Sequence, residues 1–183
     1  MLTHDFLDEF KHATEEKWRE CSINPTLYGF QFQRGTRWNP GLPDETITAY
    51  ENALDVRFPH DFRAFLQSVN GTDVPTINVY GYCGEPQRQS VGVYSYPRDV
   101  EVVKQRIEAV RQWRAELENT MAEQGFALAP EAALVPIYIH RYVVCTSNLE
   151  SSVVLSIDDG ADAIVYGDSL KEYLEREFLR DAR

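Results

Sequence analysis

Positive charge is scarce in this sequence. Its 183 residues contain 18 lysines and arginines against 29 aspartates and glutamates, so the formal net charge is −11 at pH 7. A chain this acidic repels phosphate backbones and anionic membrane surfaces, so we expect neither nucleic-acid binding nor membrane binding. The same charge attracts basic partners and speeds their encounter through long-range steering.

Cysteine and long apolar runs are also scarce. Cys21, Cys83 and Cys145 are odd in number and far apart, which is typical of reduced thiols that pack as small side chains. No apolar run approaches the roughly 20 residues of a membrane-spanning helix. The N-terminus shows neither the basic region nor the continuous apolar stretch of a signal peptide. These features predict a cytoplasmic protein.

Motifs for catalysis and metal binding are absent from the sequence. It has no Cys-x-x-Cys, His-Glu-x-x-His, Gly-x-Ser-x-Gly, Walker or Gly-x-Gly-x-x-Gly pattern. We therefore expect no catalytic site, no cofactor and no metal. A hydrolase built from dispersed residues is the alternative, with His140, Arg141 and Cys145 as its best candidates. Residues 140 and 145 differ by an odd number, however, so a regular strand would direct them to opposite faces.

Hydrophobic periodicity predicts helices near residues 3–20, 43–56, 59–69, 99–124 and 169–178. Phe62, Phe65, Leu66 and Val69 stand at i, i+3, i+4 and i+7, so we expect one buried stripe. Asn70-Gly71 should end that helix, with Gly71 in the left-handed conformation just beyond it. Ser169 and Glu172 have the spacing of a capping box that opens the last helix.

Strand signals follow the helical first third. Candidate strands cover residues 30–33, 76–82, 91–96, 134–139, 142–146, 153–157 and 163–166, and residues 38–41 have the composition of a turn. Helices, then strands, then a helix predict an α+β fold rather than a parallel βαβ sheet. We expect a mainly antiparallel sheet packed by helices, with an N-terminal helical and aromatic extension.

An acidic group, Asp158, Asp159 and Asp162, falls at the predicted turn between the last two strands. An EF-hand needs oxygen ligands at alternate positions and a distal glutamate, which this spacing does not supply. A solvated hairpin turn is the simplest interpretation. Partner contact is the alternative, because loops on a rigid scaffold often bind.

Several local motifs resemble one known family. They are a Phe-Pro step at 58–59 between two helices, a helix followed by Asn70-Gly71, a Val-Pro-Ile start at 135–137 and a strand-to-helix junction at 164–170. Together they resemble the SUKH superfamily, which includes fungal cell-wall-synthesis regulators, over most of the chain. Residues 28–30 and 38–42 resemble an extension found in some bacterial members. The shared motifs are caps, core stripes and a junction, so the resemblance concerns fold more than function.

The resemblance implies one SUKH-like domain over residues 1–183, with a helix and extended arm at 1–40 and a core at 41–183. It implies an immunity protein that binds and neutralises a polymorphic toxin, since bacterial members typically have this role and many such toxins are basic nucleases. The alternatives are a regulatory or scaffold interaction protein and, less favoured, the hydrolase. For partner contact we expect Asp158, Asp159, Asp162 and Glu85, and no oligomeric state is predicted.

Overall fold

The computed structural model describes residues 2–79, 88–90, 92–150 and 152–180. The helices are α1 (His4–Glu20), α2 (Asp44–Leu54), α3 (His60–Ser68), α4 (Val100–Gln112), α5 (Arg114–Glu123) and α6 (Leu170–Leu174), which continues as a π-helical turn, Glu175–Leu179. The strands are β1 (Gly29–Gln31), β2 (Trp38–Pro40), β3 (Val69–Thr72), β4 (Thr76–Val79), β5 (Arg88–Ser90), β6 (Ala133–Tyr138), β7 (Arg141–Cys145), β8 (Val154–Ile157) and β9 (Ala163–Gly167).

The last four strands form one antiparallel meander in the order β6-β7-β8-β9. Val135 pairs with Val143, which pairs with Val154, and Leu155 pairs with Val165 on the edge strand. The remaining strands form an antiparallel sheet in the order β1-β4-β5 and the pair β2-β3. These sheets and the surrounding helices confirm the α+β prediction.

Helices cover both faces of the meander. Val135 and Val143 face a cluster formed with α1, α2, α3 and α6, whereas Leu134 and Val144 face a second cluster formed with α5. A strand buried on both faces carries apolar residues at successive positions, which explains why β6 and β7 lack apolar–polar alternation.

Aromatic side chains pack the N-terminal arm onto the core. Trp18 of α1 stacks on Phe32, with ring centroids 4.3 Å apart, and Trp38 lies 5.8 Å from Phe178 of the last helical turn. Large aromatic surfaces contribute much apolar burial at little rotamer cost, so the arm is held by packing. The arm therefore contacts both α1 and the C-terminal helical turn.

The predicted stripe on α3 is confirmed: Phe62, Phe65, Leu66 and Val69 are all buried. The expected end of this helix was wrong, because α3 ends at Ser68 and Asn70-Gly71 lies in β3. The side-chain amide of Asn70 instead exchanges two 2.8 Å hydrogen bonds with the backbone of Tyr96.

Glycine is required at position 71 because β3 passes close to residues 93–95, and not because it ends a helix. Its φ of +70° agrees with the predicted left-handed conformation. A Cβ at this position would also lie 2.8 Å from both the Val93 carbonyl oxygen and the Ser95 Cβ. The Asn-Gly motif therefore joins β3 to the segment at 92–96 rather than capping a helix.

Three further predictions of secondary structure need correction. The helix predicted over 99–124 breaks at Trp113 into α4 and α5, although its apolar residues are buried as expected. Trp38-Asn39-Pro40 is a strand that pairs with β3 rather than a turn. In place of a strand over 91–96, the described residues show β5 at 88–90 and an isolated bridge between Val93 and Tyr138.

Within the described ranges given above, no helix combines the length and the apolarity needed to cross a lipid bilayer.

Candidate partner-binding surface

Two connections of the meander meet at one end of the sheet. In an antiparallel meander alternate turns lie at the same end, so the β6–β7 turn (139–140) neighbours the β8–β9 loop (158–162). The Ile157 N–H donates to the His140 carbonyl at 2.9 Å, which places the two connections side by side. We refer to residues 158–162 as the acidic loop.

The acidic loop has a defined conformation. The Asp159 carboxylate accepts the backbone N–H groups of Ala161 and Asp162, each at 2.8 Å, and the Asp158 N–H donates to the Asp162 carbonyl at 3.0 Å. The connection is therefore a five-residue loop with an Asx-type turn, where the sequence suggested a tight hairpin. Its three carboxylates are exposed.

Side chains of α5 and of Gln124, which follows it, hold the acidic loop in place through hydrogen bonds. The Thr120 hydroxyl donates to the Gly160 carbonyl at 3.0 Å, and the Gln124 amide donates to the Ala163 carbonyl at 2.7 Å. A Cβ at Gly160 would lie 2.9 Å from the Trp113 Cβ and 2.7 Å from the Glu116 carboxylate. Only glycine allows this close approach, so the loop is seated on the α4–α5 junction.

The structure brings three of the four predicted site residues together. Asp158, Asp159 and Asp162 share the acidic loop, whereas Glu85 lies outside the described residues. Glu116 adds a carboxylate beside the loop that no sequence signal predicted, because it depends on how α5 docks. Asp168 follows β9 and therefore lies at the opposite end of this strand, about 16 Å from the loop at 3.3 Å per residue.

The β6–β7 turn holds an unusual backbone conformation. Ile139 has a φ of +50°, a region that β-branched residues rarely occupy. Its side chain is buried, and its carbonyl accepts a hydrogen bond from the Tyr94 hydroxyl at 3.3 Å. Such strain persists only where the surroundings determine the conformation, and it is concentrated at functional sites.

A cleft of about 160 Å³ opens between this turn and the N-terminal arm. We call it the cleft, and it is lined by Gly29, Phe30, Tyr138, Ile139, His140, Arg141 and Glu177. The rings of Phe30 and His140 lie 6.4 Å apart, so two flat side chains form its walls. It therefore combines residues from β1, the β6–β7 hairpin and the C-terminal helical turn.

His140 is neutral at neutral pH. Burial lowers the pKa of its imidazole to about 4, and the nearby charges of Arg141 and Arg106 act in the same direction. The carboxylates of Asp158 and Asp162 oppose this shift, which shows that the acidic loop lies within electrostatic range of the cleft.

Arg141 and Glu177 form the charged floor of the cleft. The Arg141 Nε donates to Glu177 Oε2 at 3.0 Å, and its Nη1 donates to the Ser156 hydroxyl at 2.8 Å. The guanidinium also lies 4.0 Å from the centroid of the Tyr166 ring, a favourable cation–π distance. Arg141 is thus held by three contacts within the protein.

A buried hydroxyl lies close to this ion pair. Among the described residues, Tyr173 has the one buried side-chain polar atom without a hydrogen-bond partner. Burial raises its pKa well above the usual value, and the charge of Glu177 contributes to the same shift. A buried donor without a partner is costly, so this hydroxyl lowers stability locally, and Tyr173 does not itself line the cleft.

The His140, Arg141 and Cys145 trio does not form a nucleophilic site. His140 lies in the turn before β7, whereas Cys145 is buried at the far end of this strand. Burial, followed by the charges of Asp61 and Glu51, raises the pKa of the Cys145 thiol. A buried thiol with a raised pKa is a poor nucleophile, so packing accounts for Cys145.

Exposed apolar side chains flank the cleft and the acidic loop. Tyr28 and Leu27 are 75% and 43% exposed and immediately precede the cleft residues of β1. Ile164 is 44% exposed on β9, directly opposite Ser156, which itself pairs with Arg141. Directly paired residues share a face of an antiparallel sheet, so Ile164 extends the surface beside Arg141.

Within the described parts of the chain, no three His, Cys, Asp or Glu side chains are grouped as a metal ion would require.

Comparison with protein families gives a match over most of the chain. A family model described as the SMI1 / KNR4 family (SUKH-1) matches residues 41–176. A search of curated proteins gives no significant match. The matched range includes the β6–β7 turn and the acidic loop, whereas Phe30 and Glu177 lie outside it.

Proposed function

This chain belongs to the SMI1/KNR4 family (SUKH-1), and from that premise we propose that it is a non-catalytic module that binds and neutralises a toxin protein. The observation that carries the proposal is the acidic loop, with three exposed carboxylates on a rigid scaffold beside a small cleft. Loops positioned in this way are common binding elements. The proposed site of action is the cytoplasm.

Charge supports a basic partner. Of the formal net charge of −11, the loop contributes three carboxylates at one end of the sheet, next to Glu116. A charge concentrated at one site raises the association rate of an oppositely charged partner, by about 10- to 1000-fold at low salt. Many nuclease toxins are basic because they bind nucleic acids, so they fit such a surface.

The composition of the surface also resembles a protein interface. Tyr28 and Ile164 provide exposed apolar area, while the acidic loop supplies a polar margin. Protein interfaces commonly combine an aromatic or aliphatic centre with a polar rim, and tyrosine is enriched among residues that dominate affinity. We propose that residues 1–40 and the core act as one unit, because Tyr28 belongs to the arm.

The experiment is co-expression with the product of the gene immediately upstream. We expect rescue of growth and a complex whose association rate falls steeply as salt rises. The charge-neutralising triple variant Asp158→Asn, Asp159→Asn and Asp162→Asn should reduce the association rate about tenfold at low salt. Asparagine keeps the side-chain oxygen that Asp159 uses in the loop, so the fold should persist.

A matched control separates local from overall charge. The triple variant Asp8→Asn, Glu9→Gln and Glu16→Gln removes the same number of exposed carboxylates from α1. It should reduce the rate by less than about twofold if the acidic loop is the steering element. Equal effects of the two variants would contradict a localised surface. Binding to a cell-wall or metabolic protein, without growth rescue, would favour the regulatory alternative.

A further inference from the structure

We infer that the cleft binds one cationic side chain, an arginine or lysine that the partner packs against the rings of Phe30 and His140 with its charge toward Glu177. This inference rests on the proposed function for the identity of the partner, but the cleft can be tested without it. Binding of one side chain in the cleft fixes a specific contact position, in addition to the general attraction by the acidic loop.

The size of the cleft favours a single side chain. Its volume of about 160 Å³ is well below the roughly 300–1,000 Å³ of typical small-molecule and cofactor sites. Residues that dominate binding energy are often single arginine, tyrosine or tryptophan side chains that fill small pockets near the centre of an interface.

The walls of the cleft favour a cation with an apolar stem. Phe30 and the neutral imidazole of His140 form a tilted pair of rings, with centroids 6.4 Å apart and planes at 53°, against which a guest side chain can pack. Aromatic faces attract ammonium and guanidinium groups, and they also pack against aliphatic stems. The protein makes the same kind of contact internally, since the guanidinium groups of Arg141 and Arg176 lie 4.0 and 4.2 Å from the centroid of the Tyr166 ring.

The floor of the cleft provides an acceptor for the charge. Glu177 uses Oε2 to accept the Arg141 Nε, and within the described residues its Oε1 accepts no hydrogen bond. The guanidinium of Arg141 also contacts the Ser156 hydroxyl and the Tyr166 ring.

The rim makes the local charge negative. Asp158 and Asp162 both act electrostatically on His140, so with Glu177 three carboxylates act on the cleft against the two guanidinium groups of Arg141 and Arg106. An anionic guest would have to approach through the acidic loop, at a cost in like-charge repulsion. A cationic guest is attracted from a distance and stabilised at the floor.

The position of the cleft relative to the family match bears on specificity. His140 and Arg141 lie inside the matched range 41–176, whereas Phe30 and Glu177 lie just outside it. Phe30, which forms a wall of the cleft, and Glu177, the proposed acceptor, thus lie in segments that flank the family match. Function commonly resides in sites added to a shared fold, so this cleft is suited to distinguish partners.

The test is a titration of the isotope-labelled full chain with acetyl-Gly-Arg-Gly-amide, followed by NMR chemical shifts. Acetyl-Gly-Lys-Gly-amide, a norleucine peptide and a glutamate peptide of the same length serve as comparisons. We expect saturable shifts at Phe30, His140 and Glu177 with the basic peptides, with a dissociation constant on the order of 10 mM or tighter. The norleucine and glutamate peptides should not produce them.

Variants assign the contacts. Glu177→Gln should weaken binding of the arginine peptide about tenfold, because it removes a charge-assisted hydrogen bond. Phe30→Leu keeps apolar bulk but removes the aromatic face, and it should weaken binding about threefold. Glu175→Gln is the matched control, since it changes the same helical turn by the same charge without lining the cleft. It should change affinity by less than about twofold.

Four results would overturn the inference. Equal binding of the norleucine peptide would make the cleft simply apolar, and preference for the glutamate peptide would make Arg141 the recognition group. Shifts confined to other surfaces, or no saturable shifts with either basic peptide, would exclude the cleft as a cation site. If the basic peptides bind but the upstream gene product does not, the proposed function fails while the cleft inference stands. If the upstream gene product binds but the basic peptides do not, the cleft inference fails while the proposed function stands.

Discussion

The two ends of the β6–β9 sheet use carboxylates in opposite ways. At the end of the β7–β8 connection, Asp61 is buried and accepts a hydrogen bond from the Ser152 hydroxyl, while the His60 N–H donates to the Leu149 carbonyl at 2.9 Å. At the other end, the carboxylates of the acidic loop are exposed. A buried carboxylate needs partners within the protein, whereas an exposed one keeps its hydration and acts on charges at a distance.

Glu51 belongs to the buried end. Its carboxylate accepts the Phe58 N–H at 2.7 Å and pairs with Arg63, and its charge contributes to the raised pKa of Cys145. These contacts connect α2, the Phe-Pro step and α3, which are among the elements that carried the family resemblance. The comparison teaches that these motifs build one end of the molecule, while the candidate surface is built at the other. Substitutions at the two ends should therefore separate stability from binding.

The largest expected effect is on stability, from Phe65→Ala in α3. Phe65 is 1% exposed and its ring lies 6.1 Å from that of Trp38. Emptying this site should lower the free energy of unfolding by about 3–5 kcal/mol, because burial is lost and a cavity remains. Urea denaturation followed by circular dichroism measures the change. A loss below about 1 kcal/mol would show that Phe65 is not a core residue.

A smaller loss of stability is expected from Glu51→Ala. The substitution leaves the Phe58 N–H without its partner and removes the carboxylate that pairs with the partly exposed Arg63. The free energy of unfolding should fall by about 2–3 kcal/mol. Asn52→Ala, at the exposed neighbouring position of α2, is the control and should remain within about 0.5 kcal/mol. Similar losses in both variants would remove the contrast between buried and exposed polar groups.

At the opposite end, Tyr28→Ala should affect binding rather than folding. Tyr28 is 75% exposed beside the cleft, so its truncation should change the free energy of unfolding by less than about 0.5 kcal/mol. We expect partner affinity to fall about tenfold, measured by calorimetry with the upstream gene product. Val102→Ala, which truncates an exposed apolar residue of α4, is the control. Unchanged affinity with Tyr28→Ala would place the interface elsewhere.

A further expected effect is the pH dependence of stability that comes from His140. Its pKa falls from about 6.5 in the unfolded chain to about 4 in the folded protein. The unfolded state therefore binds more protons between these values. This contribution to stability is fully present above pH 6.5 and is lost as the pH falls toward 4.

Measurement of this dependence uses His140→Gln. The urea midpoint should fall less between pH 6.5 and 4 in this variant than in the original protein, because the variant lacks the imidazole that the unfolded chain protonates. An imidazole of His140 that titrates near pH 6.5 in an NMR experiment would contradict burial of the ring at the cleft.

Some sequence predictions failed where long-range packing decides local structure. The apolar stripe of residues 99–124 was continuous, and no glycine or proline marked a break, yet the chain turns at Trp113. This break lets α4 pack along β6 while α5 packs under β9 and receives Gly160 of the acidic loop. Asn70-Gly71 similarly has the composition of a helix end. In the structure the Asn70 amide instead bonds to the Tyr96 backbone, and the missing Cβ of Gly71 lets β3 approach residues 93–95.

The candidate surface was only partly accessible to sequence analysis. Adjacent acidic residues at a turn predicted the acidic loop, and the parity of a meander could have placed it beside His140. The cleft could not be predicted, because it joins Phe30, His140 and Glu177 across more than 140 positions of sequence. Residue type alone predicts neither the positive φ of Ile139 nor the neutral imidazole of His140.

The sequence by itself determined the α+β class, the buried stripe of α3, the meander of the last four strands and the acidity of the loop at 158–162. These follow from periodicity, turn composition and charge, which act over a few neighbouring residues. Only the tertiary structure decided which carboxylates are buried and which remain exposed, and where the arm and the C-terminal turn meet the β6–β7 hairpin. Burial and charge coupling depend on distances between segments far apart in the chain, and local patterns do not encode those distances.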